Sequence, residues 1–263
     1  MLMRKLVISA AVLTLSSAAF AQFGYSVQSN GDDHLYRIDL SNGVATDMGM
    51  INFGDAEGLS FDNAGNLFAI GGSVDEFWDI TTPPGALVGG TGARYGTDAG
   101  LDFFNGRMYN INADGAGSEF YTINMANGTA NLLGASTDFI DGLAIFNGRG
   151  FGSDGVFNDG LYSVNIANGA TTFIGGFGLG AISVQTGLSF DPNGVLYMIT
   201  SGGQLYTVDT SNGTATFVAD VTINGTAAGG WEGFAIDPIP EPGTMLLLAG
   251  GAAALVARRR KKK

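Results

Sequence analysis

Residues 205–218 read Leu205-Tyr206-Thr207-Val208-Asp209-Thr210-Ser211-Asn212-Gly213-Thr214-Ala215-Thr216-Phe217-Val218. An aromatic strand runs into an Asn-Gly turn and a second strand leads out. Asn-Gly tolerates positive φ at both central positions, so it favours the turns whose twist matches paired strands. The same phrase recurs along the chain. Tyr36, Trp78, Tyr121, Tyr162 and Tyr206 are each followed seven positions later by a turn glycine: Gly43, Gly85, Gly128, Gly169 and Gly213. Successive aromatics lie 42, 43, 41 and 44 residues apart.

A second marker keeps step with the first. Gly58-Leu59-Ser60-Phe61, Gly100-Leu101-Asp102-Phe103, Gly142-Leu143-Ala144-Ile145, Gly187-Leu188-Ser189-Phe190 and Gly233-Phe234-Ala235-Ile236 are spaced 42, 42, 45 and 46 apart. After each of the first four come a turn and a second strand carrying Phe68, Tyr109, Phe151 or Tyr197, then the aromatic strand, then a fourth. Four short antiparallel strands with tight turns make one blade of a β-propeller, and one such unit cannot bury both its faces alone. Before the first marker stand a second strand (25–27), a third (35–39) and a fourth (44–49); after the fifth marker none remain. The expected fold is therefore an all-β, five-bladed propeller over residues 23–238, its N- and C-terminal strands sharing the closing blade. An open array of five repeats is the alternative. The repeat aromatics, Trp78 included, are expected to pack blade against blade.

Among 263 residues 45% are apolar, enough for a large core. Between residues 22 and 240 four arginines (Arg37, Arg94, Arg107, Arg149) and no lysine face 23 carboxylates, a balance of about −19. Such a surface repels phosphate backbones, which argues against nucleic acid. The absence of cysteine excludes disulfides, thiolate metal sites and cysteine nucleophiles.

The two ends read as addresses. Arg4 and Lys5, the apolar run 6–15 and Ala19-Phe20-Ala21 form a secretory signal over residues 1–21, with cleavage expected between Ala21 and Gln22. The C-terminal segment 239–263 carries Pro240-Glu241-Pro242, an apolar helical stretch from Met245 to Ala257, and six basic residues. That single hydrophobic helix is short for a ~30 Å hydrocarbon core, and its basic end would stay cytoplasmic. Together these residues resemble the PEP-CTERM sorting signal of exopolysaccharide-producing Gram-negative bacteria. The resemblance implies an exosortase as partner, transient anchoring in the inner membrane through the helix, and an exported body in the envelope or outside the cell. Tails of this kind are also labelled as the C-terminal domain of ice-binding proteins; the body has no flat Thr-x-Thr ladder, so ice binding is not carried over. The body itself resembles secreted propeller repeats of the type L-Y-x-I-D-x-x-x-G, a likeness specific for fold and nearly silent on function.

The residue before each marker glycine is Glu57, Ala99, Asp141, Thr186 or Glu232. Inner strands line a propeller's axis, so Glu57, Asp141 and Glu232 should converge, with Asp98 one residue from joining them. Clustered carboxylates raise one another's pKa or hold a cation such as Ca²⁺. They also suit a glycoside hydrolase or lyase, in which one acid protonates the leaving oxygen and another acts as nucleophile or base. The plain reading is that they cap turns and solvate a water-filled channel. His34, beside Asp32 and Asp33, has no identifiable serine partner, and one histidine without cysteine falls short of a zinc site. The glycine-rich loop Gly152 to Gly160 matches no EF-hand spacing, and no phosphate-cradling motif is present. The expected role is a non-enzymatic envelope or matrix protein binding exopolysaccharide or another surface component. A carboxylate glycosidase and a structural matrix protein without a tight ligand are the alternatives.

Overall fold

The computed structural model describes residues 22–28, 33–71, 74–93, 96–115, 117–180 and 184–238. Five sheets, antiparallel but for one outer-edge pair, form a closed ring. The chain opens with β1 (Phe23–Gln28), β2 (His34–Asp39) and β3 (Val44–Met50). The second blade is β4 (Ala56–Phe61), β5 (Leu67–Gly71), β6 (Glu76–Asp79) and β7 (Ala86–Gly90). The third is β8 (Asp98–Phe104), β9 (Arg107–Asp114), β10 (Gly117–Ile123) and β11 (Ala130–Ser136). The fourth is β12 (Gly142–Phe146), β13 (Arg149–Asp154), β14 (Gly160–Val164) and β15 (Thr171–Gly176). The fifth is β16 (Thr186–Phe190), β17 (Leu196–Thr200), β18 (Gln204–Val208) and β19 (Ala215–Asp220). A short hairpin, β20 (Thr222–Ile223) and β21 (Thr226–Ala227), precedes β22 (Trp231–Ile236).

The last strand closes the first blade. β22 pairs antiparallel with β1, setting Gly24 opposite Ile236 and Val27 opposite Glu232. The Ser26 hydroxyl adds bonds to the Glu232 and Gly233 carbonyls at 3.1 and 2.8 Å. The two terminal strands of the array are thereby paired with each other, and the open-array alternative does not hold.

Burial explains why a blade needs neighbours. The core divides into five clusters, and each lies between two adjacent blades: Tyr121 of β10 packs with Phe68, Ile70 and Phe77 of the second blade, and Tyr36 of β2 with Ile199 and Leu205 of the fifth. Trp78 stacks on Phe53 at 5.3 Å, and Tyr36 meets Trp231 edge-on at 5.2 Å. The repeat aromatics are blade-to-blade packing. The third marker residue ties blades together in a polar way. The Asp102 carboxylate accepts the Ile145 amide of the next blade, the Phe103 amide at 2.8 Å and the Ser60 hydroxyl of the preceding blade at 3.2 Å. Ser189 Oγ likewise accepts the Ile236 amide at 3.0 Å.

Two details depart from the repeat grammar. Gly43, Gly128, Gly169 and Gly213 have positive φ, whereas Gly85 does not and follows Pro83-Pro84 rather than asparagine. The hairpin β20–β21 adds to the outer edge of the first blade, with β20 parallel to β3. Its Asn224-Gly225 turn is the same hairpin signal read elsewhere. The signal segment 1–21, the Pro240-Glu241-Pro242 motif and the hydrophobic stretch 245–257 lie outside the described residues, as does the scissile Ala21; Gln22 is the first residue described.

Candidate functional site

The five marker glycines close the axis. A Cβ placed on Gly58 would lie 3.0 Å from the Ala99 carbonyl, on Gly100 2.5 Å from the Leu143 amide, and on Gly142 2.9 Å from the Thr186 carbonyl. One on Gly187 would come within 2.9 Å of the Phe234 amide, and one on Gly233 within 2.9 Å of the Glu57 carbonyl. Each glycine thus abuts the backbone of the next inner strand round the ring, an approach that any side chain would prevent. The axial cavity they leave is about 10 Å³, room for roughly one water. Glycine lets the inner strands approach this closely, so the axis is narrow here.

The four predicted acids stand at one end of this constriction. Glu57 and Asp141 line it, and Glu57 feels Glu232, Asp98, Asp55 and Asp141 as negative neighbours. Burial first, and those charges second, push the Glu57 carboxyl up to about 10. Asp141 is raised to about 8, chiefly by burial, against the pull of its hydrogen bonds. Those bonds engage both oxygens: the Ser153 and Thr186 hydroxyls lie 2.9 and 2.7 Å from Oδ1, and Oδ2 accepts the Gly155 and Thr186 amides at 3.2 Å each. Asp141 therefore clamps the fourth blade to the fifth. Among the described residues no three histidine, aspartate or glutamate side chains are placed to hold a metal ion.

Asp98 has a different outlook. It lines a cavity of about 500 Å³ at the same end of the ring, formed by residues that precede the inner strands and by loops joining second to third strands. The residue is 4% exposed, and its carboxylate accepts Gln185 Nε2 and, at 3.0 Å, the Thr97 hydroxyl, and is raised by burial. The lining also includes the apolar residues Phe139, Val156, Phe157 and Val184. Phe157 is 64% exposed and meets buried Phe139 edge-to-face at 5.0 Å and 81°.

An exposed phenylalanine at a loop tip needs a frame, and Asp154 supplies one. This fully buried carboxylate accepts the Val156, Phe157 and Asn158 amides at 3.1, 2.8 and 3.2 Å and Asn158 Nδ2 at 2.8 Å. The Gly152 to Gly160 loop is thus organised by its own acid. Its rim is stitched to the neighbouring blade by the Val184 amide, which donates to the Gly155 carbonyl at 3.0 Å, and within that blade the Ser201 amide donates to the Gln185 carbonyl at 2.9 Å. The cavity is held open by hydrogen bonds already made, which lowers the ordering cost of filling it.

Phe139 and Phe157 were not singled out by sequence reasoning, because neither belongs to a repeat marker: Phe157 lies in the loop between β13 and β14, and Phe139 ahead of β12. The adjacent Val156-Phe157 pair within an otherwise polar loop was the available signal. The remaining candidates lie elsewhere. His34 Nδ1 meets both Asp47 carboxylate oxygens at 2.9 Å on the outer strands of the first blade. Arg107 and Arg149 sit at exposed turns where the inner strands end, at the far side from the cavity.

Residues 238–261 match the PEP-CTERM protein-sorting motif. No curated protein matches the chain. Among solved structures, a chain of a nidogen/laminin complex is similar at TM-score 0.55 and 12% identity, over 82% of this chain and 98% of its own length. A protein of unknown function from Bacteroides thetaiotaomicron aligns at TM-score 0.48 and 14% identity over 75% of this chain and 50% of its own. At these identities the likeness concerns fold alone. The sorting motif implies export, transient anchoring in the membrane and processing by an exosortase.

Proposed function

We propose that this exported five-bladed propeller, ending in a PEP-CTERM sorting motif, is a non-enzymatic binder of surface carbohydrate, and that the Asp98–Phe157 cavity is where the sugar sits. The observation that supports the reading is the exposed Phe157 ring on a buried, hydrogen-bonded frame. A pyranose has an apolar C–H face and a rim of hydroxyls. The first suits a flat aromatic, and the second suits Asp98, Gln185, Thr97 and Ser201 of the same cavity. At about 500 Å³ the space suits one or two sugar rings. Exopolysaccharide at the cell surface is the matching ligand pool for a protein carrying this address.

Catalysis by the axial acids is the weaker reading. Asp141 is engaged by four neighbouring protein groups and raised to about 8, and Glu57 stays protonated to about 10, so neither is poised as a base or nucleophile near neutral pH. A glycan array combined with a reducing-sugar assay separates the cases. Retention of an oligosaccharide without turnover, abolished in Phe157→Ala, is the expected result. Turnover lost in Glu57→Gln would establish the hydrolase, and silence across the array would leave a matrix protein without a tight ligand.

A further inference from the structure

We infer that the sugar taken by this cavity carries protonated amines: its ligand is a cationic amino-sugar oligomer, and neither an N-acetylated nor a uronic-acid one. The inference rests on the carbohydrate reading above and adds the ligand's charge. Among the described residues that line the cavity, the one ionisable side chain is Asp98, beside Gln185, Thr97 and Ser201. Asp98 already accepts two hydrogen bonds, which fix its orientation, while a carboxylate can accept about four. Its remaining lone pairs are suited to an ammonium donor, the strongest partner a carboxylate finds. Among the described residues no arginine lines the cavity to neutralise Asp98 or to receive a ligand carboxylate. Behind Asp98 stands Asp55, within electrostatic reach of it. The whole body carries about −19, a field that draws in polycations and turns away polyanions.

Charge alone would let a polycation bind anywhere on such a surface, so the proposal is specific about place. The amine approaches Asp98 while the ring stacks on Phe157. Calorimetric titration of the exported protein with a glucosamine hexamer, the same hexamer after N-acetylation, and an oligogalacturonate of equal length tests this. The glucosamine hexamer should bind about tenfold tighter than its acetylated form, the increment of one charge-assisted bond, and the galacturonate should not bind. Asp98→Asn should remove the preference for the amine. Phe157→Ala, an exposed position that leaves the fold intact, should weaken both neutral and cationic hexamers. Equal affinity for the amine and its acetylated form overturns the charge inference and leaves carbohydrate binding standing. Glucosamine binding that survives Phe157→Ala overturns it too, since the polycation then sits elsewhere on the acidic surface. Failure of every oligomer to bind removes both readings together. Because the acetylation arm alters only the ligand, it decides the matter even if Asp98→Asn does not fold.

Discussion

Asp141 and Phe157 line the same end of the ring and are opposite in kind, which single substitutions should reveal. Asp141→Ala deletes one carboxylate and strands two hydroxyls and two amides in a buried place. Unmet buried donors cost about 1–3 kcal/mol each before relaxation, so a loss of roughly 3 kcal/mol in urea denaturation is expected. Phe157→Ala should leave the denaturation midpoint within about 0.5 kcal/mol of the parent while abolishing sugar retention. Gly100→Ala is the sharpest test of the axial ring. Its methyl would press on the Leu143 amide and the backbone before it, with no flexible side chain to yield, at a cost of about 1–3 kcal/mol. If Gly100→Ala proves as stable as the parent, the inner strands do not approach as closely as described. The acids were legible in the sequence because inner strands begin in constant register, so equal spacing meant equal position. Their partners were not. Ser153 reaches Asp141 from the paired strand of the same blade, but Thr186 does so through the lateral packing of two blades, which no periodicity encodes. The meaning of the marker glycines was hidden for the same reason, since what they meet lies in the next repeat.

At the scale of strands, the closing blade carries most of the testable content. β22 joins the ring through β1 on one side and buries Phe234, 2% exposed, beside Trp231 and Ile236. Phe234→Ala removes that side chain from between the fifth blade and the first, and large-to-small changes of this type cost about 3–5 kcal/mol. Gly24 lies against the same ring: a Cβ there would come 2.5 Å from the Phe234 edge. Gly24→Ala should therefore destabilise the parent. In the Phe234→Ala background, where the ring it strikes is gone, the same change should cost clearly less. That non-additivity, read by a double-mutant cycle in urea, distinguishes a shared contact from two separate defects. Equal penalties in both backgrounds would mean that β22 does not seat against β1 as described. The closure itself could be read from the chain because three strands precede the first marker and none follow the last. The β20–β21 hairpin could not be placed. Its Asn224-Gly225 turn announces a hairpin, but parallel addition to β3 is decided by where the ring brings the first blade's edge.

For the molecule as a whole, the gathering of acids at one end should set how stability varies with pH. Glu57 at about 10, Asp141 at about 8 and Asp102 at about 7 all stand above their ordinary values of 4.5 and 3.8. Burial is the leading cause at each, and for Glu57 the charges of Glu232, Asp98, Asp55 and Asp141 follow. The folded state therefore holds these protons over a range in which the unfolded chain has released them. Where the native state binds more protons, stability falls as pH rises. Their contribution is fully present below the unfolded values and is lost as pH climbs through about 7, then about 8, then about 10. The melting temperature should accordingly decline between about pH 5 and about pH 9, with loss of the Asp102 proton, which ties the third blade to the fourth, contributing first. Glu57→Gln keeps the shape of the side chain and removes its charge, so it should raise stability most at the alkaline end and flatten the profile there. Added monovalent salt should partly restore the alkaline arm by screening the more exposed members of the group. A melting temperature that rises from pH 5 to pH 9 would mean that these carboxyls are ionised and well accommodated in the folded protein. The mouth of the propeller would then be a solvated acidic surface, and the cavity beside Asp98 would lose the dry setting that lets one carboxylate select its ligand's charge.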